Sequence, residues 1–176
     1  MDSDGRLIER IGNGDESAFA ELVSRYGGRL LAVAGRLLGA RADAEDAVQR
    51  ALLQCFAGAS SYRAEWAAVS TWLYRIVTNV CVDELRRRAA RSSRDLKIAG
   101  TPRPRDRQPG ADVDLHRALE RVPREARVLL ALHYVDGLSY EELARIRGIS
   151  INTVKSQLAR GKSLLRKELS QRGVLT

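Results

Sequence analysis

The chain has 176 residues, of which 44% are hydrophobic and only 5% aromatic, and it carries a net charge of +8. That hydrophobic fraction suffices for one ordinary or two small cores, which excludes a chain that is disordered throughout. No stretch approaches the roughly 20 apolar residues of a membrane-spanning helix, and the N-terminus lacks an apolar signal segment, so we expect a cytoplasmic protein without membrane insertion.

The composition favours an all-α fold, because Leu, Val and Ala dominate and alternating β-branched runs are nearly absent. The positive charge suggests an anionic partner, usually nucleic acid, although a solvated basic surface would give the same total. Cys55, Cys81, His116 and His133 lack the spacing of a metal site. We therefore expect no metal and no cofactor, and we interpret both thiols as small core residues in a reducing cytosol.

Helix signals divide the first half of the chain. The stretch GNGDESAF ends a short opening helix and supplies Asp15 as the N-cap of the next one, which should stop at Gly39. A third helix is predicted from a cap near Asp43 to Gly58, followed by the loop ASSYRAEWAAVS. The last helix of this half should run over about residues 69–88.

The helical periodicity is then interrupted. Residues 91–112 contain three of the four prolines and two glycines, a composition typical of a linker. This segment is basic, so it could lie along an acidic groove or serve as a passive tether. We therefore predict two small helical domains, residues 1–90 and 112–176, joined by a flexible linker over residues 91–111.

The second half is predicted to contain a helix-turn-helix. Two predicted helices, one before Pro123 and one after it, precede the motif. The stretch SYEE forms a capping box that begins at Ser139, and the short helix that follows should end at Gly148. A three-residue turn and a second helix, capped by Ser150, complete the motif.

The second helix of this motif has two distinct faces on a helical wheel, and Ile151, Val154, Leu158 and Leu165 share the apolar one. Short polar side chains near its N-terminus can hydrogen-bond base edges in a major groove, and the Lys and Arg residues that follow can meet phosphates. A surface helix whose basic face simply meets water is the alternative. The candidate DNA-binding residues are Asn152, Thr153, Lys155, Ser156, Arg160, Lys162 and Ser163.

The helix over 43–57 has an apolar face that includes Phe56 and an opposite face that groups Asp46, Gln49 and Leu53. An exposed Leu flanked by Asp and Gln, with Arg50 beside it, could be a docking surface for another protein. A single exposed Leu is also common on protein surfaces, so this pattern alone leaves both interpretations open.

The helix over 69–88 carries a polar stripe that suits a nucleic-acid strand. Guanidinium groups take phosphates, an amide reads a base edge and an aromatic ring stacks on a base. The preceding loop has residues that could line a pocket for an unstacked base. Alternatively, an aromatic ring covers the core and the Arg run at 86–88 complements the helix C-terminus. The candidate residues are Tyr62, Arg63 and Trp66 in the loop and Trp72, Arg75, Asn79 and Arg86 on the helix.

Three stretches together resemble the extracytoplasmic-function (ECF) group of bacterial RNA polymerase sigma factors, within the sigma-70 family. They are DAEDAVQRALL at 43–53, STWLYRIVTNVCVDELRRR at 70–88 and LSYEELARIRGISINTVKSQLARGKSLLRKEL at 138–169, in the family's order. The resemblance covers nearly the whole chain apart from the linker and the two termini.

The resemblance implies a role for each domain. The first resembles region 2, in which Asp46, Gln49, Arg50 and Leu53 would grip the β′ clamp helices of core polymerase, while the loop and the polar stripe would hold the opened non-template strand of the −10 element. The second resembles region 4, whose recognition helix would read the −35 element as duplex DNA. The linker would thread towards the active-site and RNA-exit channels of the polymerase.

The resemblance also implies the partners. They are core RNA polymerase, through its β′ and β subunits, promoter DNA, and an anti-sigma factor that covers these binding faces and could hold the protein at a membrane. The free protein is expected to be a monomer.

The sequence departs from the family at two places. The loop between Tyr62 and Trp72 is one residue longer than in common members and contains Trp66, which is unusual there, and both differences bear on base selection by the loop. Gly161 and Lys162 stand where Ala and Arg are usual. A glycine at this position would weaken an isolated helix by about 1 kcal/mol relative to Ala.

Two other classes of protein fit parts of the sequence. A dimeric helix-turn-helix regulator would use residues 1–90 for sensing or dimerisation, but it leaves the stripe on the helix over 69–88 unexplained. A metal-dependent nuclease would need Asp43, Glu45 and Asp46 to converge, but these carboxylates open a helix and point in different directions. The sequence therefore favours a sigma factor that is not an enzyme.

Overall fold

The computed structural model describes residues 3–98 and 111–171. The regular structure of these residues is helical, which confirms the predicted all-α fold. No helix within the two described ranges is both long and apolar enough to cross a membrane. The elements are α1 (Asp4–Gly12), α2 (Glu16–Leu38), α3 (Arg41–Gly58), a short 3₁₀ turn (Ala59–Ser61), α4 (Val69–Ile98), α5 (Ala111–Arg121), α6 (Arg124–Asp136), α7 (Tyr140–Arg147) and α8 (Ile151–Gln171).

Most helix ends follow the capping signals in the sequence. Asp15 accepts two backbone N–H bonds at the start of α2, and Gly39 ends that helix with a positive φ of 79°. Ser139 and Glu142 form the predicted capping box at the start of α7, which Gly148 ends in the left-handed conformation. These predictions are confirmed because each depends on hydrogen bonds between residues close in the sequence.

Two boundaries differ from the predictions. Helix α3 begins at Arg41 without a side-chain cap, and Asp43 lies in its first turn, where it forms an ion pair with Arg88 of α4 at 2.7 Å. Helix α4 continues to Ile98, so the prediction that residues 91–98 belong to an irregular linker is wrong. No glycine or proline interrupts residues 69–99, so nothing in this stretch stops the helix. The rest of the predicted linker, residues 99–110, lies outside the described residues.

The first half of the structure is built around α2, α3 and α4, with α1 packed against α2. Leu37, Ala47 and Val77, one residue from each of these three helices, are fully buried. The buried guanidinium of Arg88 donates to the Leu38 carbonyl at 3.1 Å and also pairs with Asp43, so it joins the end of α2 to α3 and α4. This arrangement fixes the outward faces of α3 and α4 relative to each other.

The second half is a helix-turn-helix supported by α6. Val154 and Leu158 of α8 are buried, as the helical wheel predicted, whereas Leu165 is half-buried and Ile151, at the first turn, is exposed. Gly161 is also buried, and a Cβ built there would lie 3.1 Å from the Ala126 Cβ and 3.2 Å from the Leu130 Cδ1. The missing side chain therefore lets α8 approach α6 closely, which offsets the low helix propensity of glycine.

The two halves contact each other directly. Helix α2 packs against α6, and α4 packs against α7. The contact is incomplete, because a groove of about 1030 Å³ lies along the boundary, between α2 on one side and α5, α6 and α8 on the other. The boundary between the halves is therefore only partly filled by side chains.

Candidate functional site

The four residues predicted to dock a protein partner lie together on α3. We call Asp46, Gln49, Arg50 and Leu53 the α3 face. The Leu53 side chain is 61% exposed, and Asp46 and Gln49 are exposed beside it. Arg50 is half-buried and bridges two carboxylates, that of Asp46 at 2.9 Å and that of Glu84 on α4 at 3.7 Å. The α3 face thus presents an exposed apolar side chain, Leu53, beside the Asp46–Arg50 ion pair.

Phe56 extends this face, although the helical wheel placed it in the core. Its ring is 37% exposed and packs edge-to-face on Phe19 of α2, with ring centroids 5.2 Å apart. It lies three residues after Leu53, so the two side chains are neighbours on the helix surface. The sequence signal that could have found it is this i, i+3 spacing of two large apolar residues.

The loop before α4 is ordered by its own hydrogen bonds. The Tyr62 hydroxyl donates to the Ala67 carbonyl at 2.6 Å, and its ring lies 5.2 Å from the ring of Trp72. Arg63 donates to the Ser60 carbonyl at 3.1 Å and remains exposed. Trp66 is 83% exposed. The loop therefore offers a tilted Tyr62–Trp72 ring pair at its base and the projecting indole of Trp66.

The four candidate residues on α4, which we call the α4 stripe, are not equivalent. Trp72 is half-buried against Tyr62, so it covers the core as well as lining the loop. Arg86 is exposed and pairs with Asp83 at 3.2 Å. Arg75 and Asn79 lie between them on the surface of α4, where they contact the second half of the chain.

Side-chain hydrogen bonds join the middle of α4 to the second half, among them one from Arg147 to the Thr78 hydroxyl at 3.4 Å. Arg75 donates to the carbonyls of Arg145 and Ile146, at 2.9 and 3.3 Å. The Oδ1 of Asn79 accepts a bond from Arg147 at 3.1 Å. The hydroxyl of Tyr74, the residue before Arg75, donates to the Asp136 carboxylate. We call this set of contacts the interdomain latch.

The latch leaves no signature in the sequence, because its partners are 62 to 71 residues apart along the chain. Tyr74 is only 1% exposed, and nothing in the sequence pattern indicated that its hydroxyl bonds to the second half. Burial and the bond to Asp136 together raise the pKa of this tyrosine, so its hydroxyl stays a proton donor.

The seven candidate residues on α8, which we call the α8 face, are arranged as the wheel predicted. Thr153 is half-buried and its hydroxyl shares a hydrogen bond with the N-cap Ser150 at 2.9 Å. The Ser156 hydroxyl donates to the Thr153 carbonyl at 3.0 Å. The remaining members are exposed, namely Asn152, Lys155, Arg160, Lys162 and Ser163.

The charge of α8 is strongly one-sided. The helix carries five Lys or Arg residues against Glu168 as its one acid. Among the described parts of the chain, Lys155, Arg160 and Lys162 have no carboxylate within ion-pair distance. A positive surface without internal counterions is what a nucleic-acid backbone requires.

The described residues contain neither a cluster that could bind a metal ion nor an exposed, reactive thiol. In residues 3–98 and 111–171, no group of three or more His, Cys, Asp or Glu side chains could hold a metal ion. Burial raises the pKa of the Cys55 and Cys81 thiols to about 12 in each case, so both stay protonated in the core of the first half.

Comparison with known protein families assigns each half of the chain. Sigma-70 region 2 matches residues 22–91 and sigma-70 region 4 matches residues 112–165. Over 163 residues the chain is 37% identical to the ECF RNA polymerase sigma factor SigM of Mycobacterium tuberculosis, a match that covers 93% of this chain and 83% of that one. It is 30% identical to the ECF sigma factor SigW of Bacillus subtilis, covering 93% and 95% of the two chains.

Two solved structures share this arrangement of helices. The sigma factor RpoE of Bartonella quintana, solved with the anti-sigma factor NepR, is 25% identical and superposes with a TM-score of 0.67 over 86% of this chain and 96% of that one. CnrH, solved with the cytosolic domain of CnrY, shares the fold with a TM-score of 0.74 over 97% of this chain and 99% of that one, at 23% identity. The α3 face, the α4 stripe and the α8 face thus lie on a chain that belongs to the ECF group of RNA polymerase sigma factors, the proteins that direct promoter-specific transcription initiation.

Proposed function

We propose that this sigma factor binds the β′ clamp helices of core polymerase through the α3 face. The exposed Leu53 supplies an apolar anchor, and the Asp46–Arg50 pair supplies charges that fix its orientation on a partner. Phe56 widens the apolar part of this surface. The second half would contact the β subunit, as the family resemblance suggests.

Duplex recognition of the −35 element is assigned to the α8 face. Asn152, Thr153 and Ser156 lie in the first two turns of the recognition helix, where short polar side chains reach base edges. Lys155, Arg160 and Lys162 have no internal counterions, so they are available for phosphates on either side of the groove. Ser163 would complete the contact at the far end.

Strand recognition of the −10 element is assigned to the loop and the α4 stripe. The exposed Trp66 and the Tyr62–Trp72 pair offer surfaces on which an unstacked base can stack. Arg63, Arg75 and Arg86 would meet the phosphates of the non-template strand, and Asn79 would read a base edge. Initiation then depends on both elements, because the polymerase fixes their spacing and turns two weak contacts into a selective one.

Residues 1–90 and 112–176 would act as separate domains in this process, with the linker in the polymerase channels. We expect a cytoplasmic, non-enzymatic monomer that is held inactive by an anti-sigma factor. The Bartonella quintana relative was solved with an anti-sigma factor, which supports a partner of this kind. A membrane-bound partner would place the protein at the membrane without insertion.

The observation that carries the proposal is the combination of an exposed apolar anchor on α3 with a counterion-free recognition helix in the other half. Run-off transcription tests it directly. The purified protein would be added to sigma-free bacterial core polymerase on a library of genomic fragments, and we expect new, defined start sites. Silence, together with specific duplex binding by a dimer of the protein alone, would favour a helix-turn-helix regulator instead.

A further inference from the structure

We propose that the end of α7 competes with the promoter strand for Arg75 and Asn79, so that the free protein is closed and opens only when the strand or the polymerase displaces this contact. The inference rests on the proposed function, because it takes the α4 stripe as a strand-binding surface. Its basis is the interdomain latch, whose partners are side chains that the strand would need.

The latch gives Arg75 a substitute for a phosphate. Its guanidinium donates to the Arg145 and Ile146 carbonyls, at 2.9 and 3.3 Å. Both belong to the last turn of α7, where carbonyls lack helical partners and carry the negative end of the helix dipole. An anionic strand offers the same kind of acceptor, so Arg75 cannot fully satisfy both partners at once.

The latch also occupies the amide of Asn79. Arg147 donates one N–H to the Asn79 Oδ1 at 3.1 Å and another to Glu125, within its own half, at 2.7 Å. The amide oxygen is the group that would accept a bond from a base edge. Two neighbouring strand-binding side chains are therefore engaged by three consecutive residues, 145–147.

Another contact of the latch, made by Tyr74 next to Arg75, involves no residue that is proposed to bind the strand. The Tyr74 hydroxyl donates to the Asp136 carboxylate, and Arg29 of α2 lies 3.7 Å from the same carboxylate. Asp136 therefore holds α6 to both α2 and α4. This residue can be changed to weaken the closed form without touching a group that would meet DNA.

The contact between the halves is mixed. The latch is polar, whereas α2 packs on α6 within one continuous apolar core. A groove leaves part of this boundary unfilled, so separating the halves exposes less apolar surface than separating a fully packed interface would. A ligand that binds only the open form will shift the equilibrium between the closed and open forms by its differential affinity.

The α8 face is not part of the latch. Lys155 and Arg160 are exposed and have no internal counterion in the described structure, and Lys162, also without one, lines the groove between the halves. Closure therefore restricts strand binding selectively, and duplex binding by α8 should not depend on whether the latch is open.

Distance measurement on the full chain tests the closed form. Spin labels at Gln54→Cys on α3 and Ser170→Cys on α8 occupy exposed positions in the two halves, while Cys55 and Cys81 are buried and should not react. We expect a narrow distance distribution in the unmodified background and a longer, broader one when Asp136→Ala and Arg147→Ala are combined. An equally broad distribution in both would overturn the inference.

Competition is tested with a fluorescein-labelled, 20-nucleotide single-stranded DNA of random sequence, followed by anisotropy. If the closed form predominates, removing two latch contacts should raise the affinity about tenfold. Glu125→Ala is the matched control, because it removes the same Arg147 ion pair within the second half but keeps the bond to Asn79. An opened variant without increased affinity, or an equal increase for Glu125→Ala, would contradict competition.

Two further outcomes separate this inference from the proposed function. Adding Asn79→Ala to the opened variant should abolish the gain in affinity, and a persistent gain would show that the strand binds elsewhere. Run-off transcription with core polymerase reports the function independently. A latch confirmed by both assays with silent transcription would refute the sigma function alone, whereas normal transcription without a latch would refute this inference alone.

Discussion

The α4 stripe and the α8 face are both basic surfaces suited to DNA, but their charged side chains have different surroundings. Arg75 and Asn79 of the stripe are bonded to the end of α7, whereas Lys155 and Arg160 of α8 have no internal counterion in the described chain. A surface without internal partners is ready to bind at any time. A surface with internal partners binds only after those partners have been displaced. Binding by the α4 stripe should therefore depend on the state of the latch, whereas binding by the α8 face should not.

The largest expected effect comes from removing the stripe itself. Arg75→Ala with Asn79→Ala should reduce open-complex formation by the holoenzyme by about 100-fold or more, because two polar contacts to the strand are lost at about 1.5–3 kcal/mol each. Loosening the latch cannot compensate, since the strand-binding groups are gone. Permanganate reactivity of the melted promoter measures the result, with Arg87→Ala as a control on the same helix. Near-normal melting would show that α4 does not hold the strand.

A smaller loss is expected from the α3 face, which takes no part in the latch. Asp46→Arg with Leu53→Ala should weaken association with core polymerase by about 30-fold, as expected for reversing one charge and truncating one apolar anchor. Competition binding against labelled wild-type protein gives the affinity. Gln54→Ala, at an exposed neighbouring position, should have no effect. Normal co-purification of the double variant with polymerase would refute the docking assignment.

One arginine of the α8 face distinguishes the two surfaces most directly. Arg160→Ala should weaken duplex binding about fivefold and lower the salt-dependence slope by about 1, because one phosphate contact is lost. The loss should be the same in the closed protein and in the variant that carries Asp136→Ala and Arg147→Ala. Titrations at several salt concentrations measure both quantities. An unchanged slope, or a loss that depends on the latch, would contradict the distinction between the two surfaces.

The smallest effect concerns the capping box that positions the helix-turn-helix. Ser139→Ala should lower the free energy of unfolding by about 1 kcal/mol, because the Glu142 N–H loses its acceptor. Thermal unfolding at neutral pH measures this loss, with Ser170→Ala near the end of α8 as a control.

The same capping box makes stability depend on pH in a defined direction. Hydrogen bonds from the backbone and the hydroxyl of Ser139 lower the pKa of Glu142 below its ordinary value of 4.5. Because the folded pKa is depressed, this contribution is complete above pH 4.5 and is lost as the pH falls below that value. Glu142→Gln should therefore flatten the acid limb of the stability curve, and an identical limb in both proteins would count against this role.

Features that depend on residues close in the sequence were predicted correctly, whereas features that depend on distant residues were not. Asp15, Ser139 and Gly148 were identified as helix ends because caps and left-handed glycines act within a few residues. Asp43 was misassigned as a cap because its real partner, Arg88, is far along the chain. A long-range ion pair leaves no spacing signature in a single sequence.

The same limit applied to the candidate site. The wheel grouped the α3 and α8 faces correctly, since each lies on one helix with a fixed period of 3.6 residues. It could not reveal that Arg75 and Asn79 contact residues 145–147, because this depends on how the two halves pack. Fold class and surfaces on a single helix were therefore predictable, and contacts between the halves were not.

The chain has two tryptophans, one in the loop before α4 and one in the first turn of α4. Trp66 is 83% exposed, while Trp72 is half-buried against Tyr62. Indole emission from the unlabelled protein therefore originates entirely at this loop and the adjoining start of α4. Acrylamide should quench the red-shifted emission of Trp66 first, and a base stacked on that ring should shield it. The loop that we propose to face the promoter thus carries its own fluorescent reporter, which would time the arrival of the strand without any added dye.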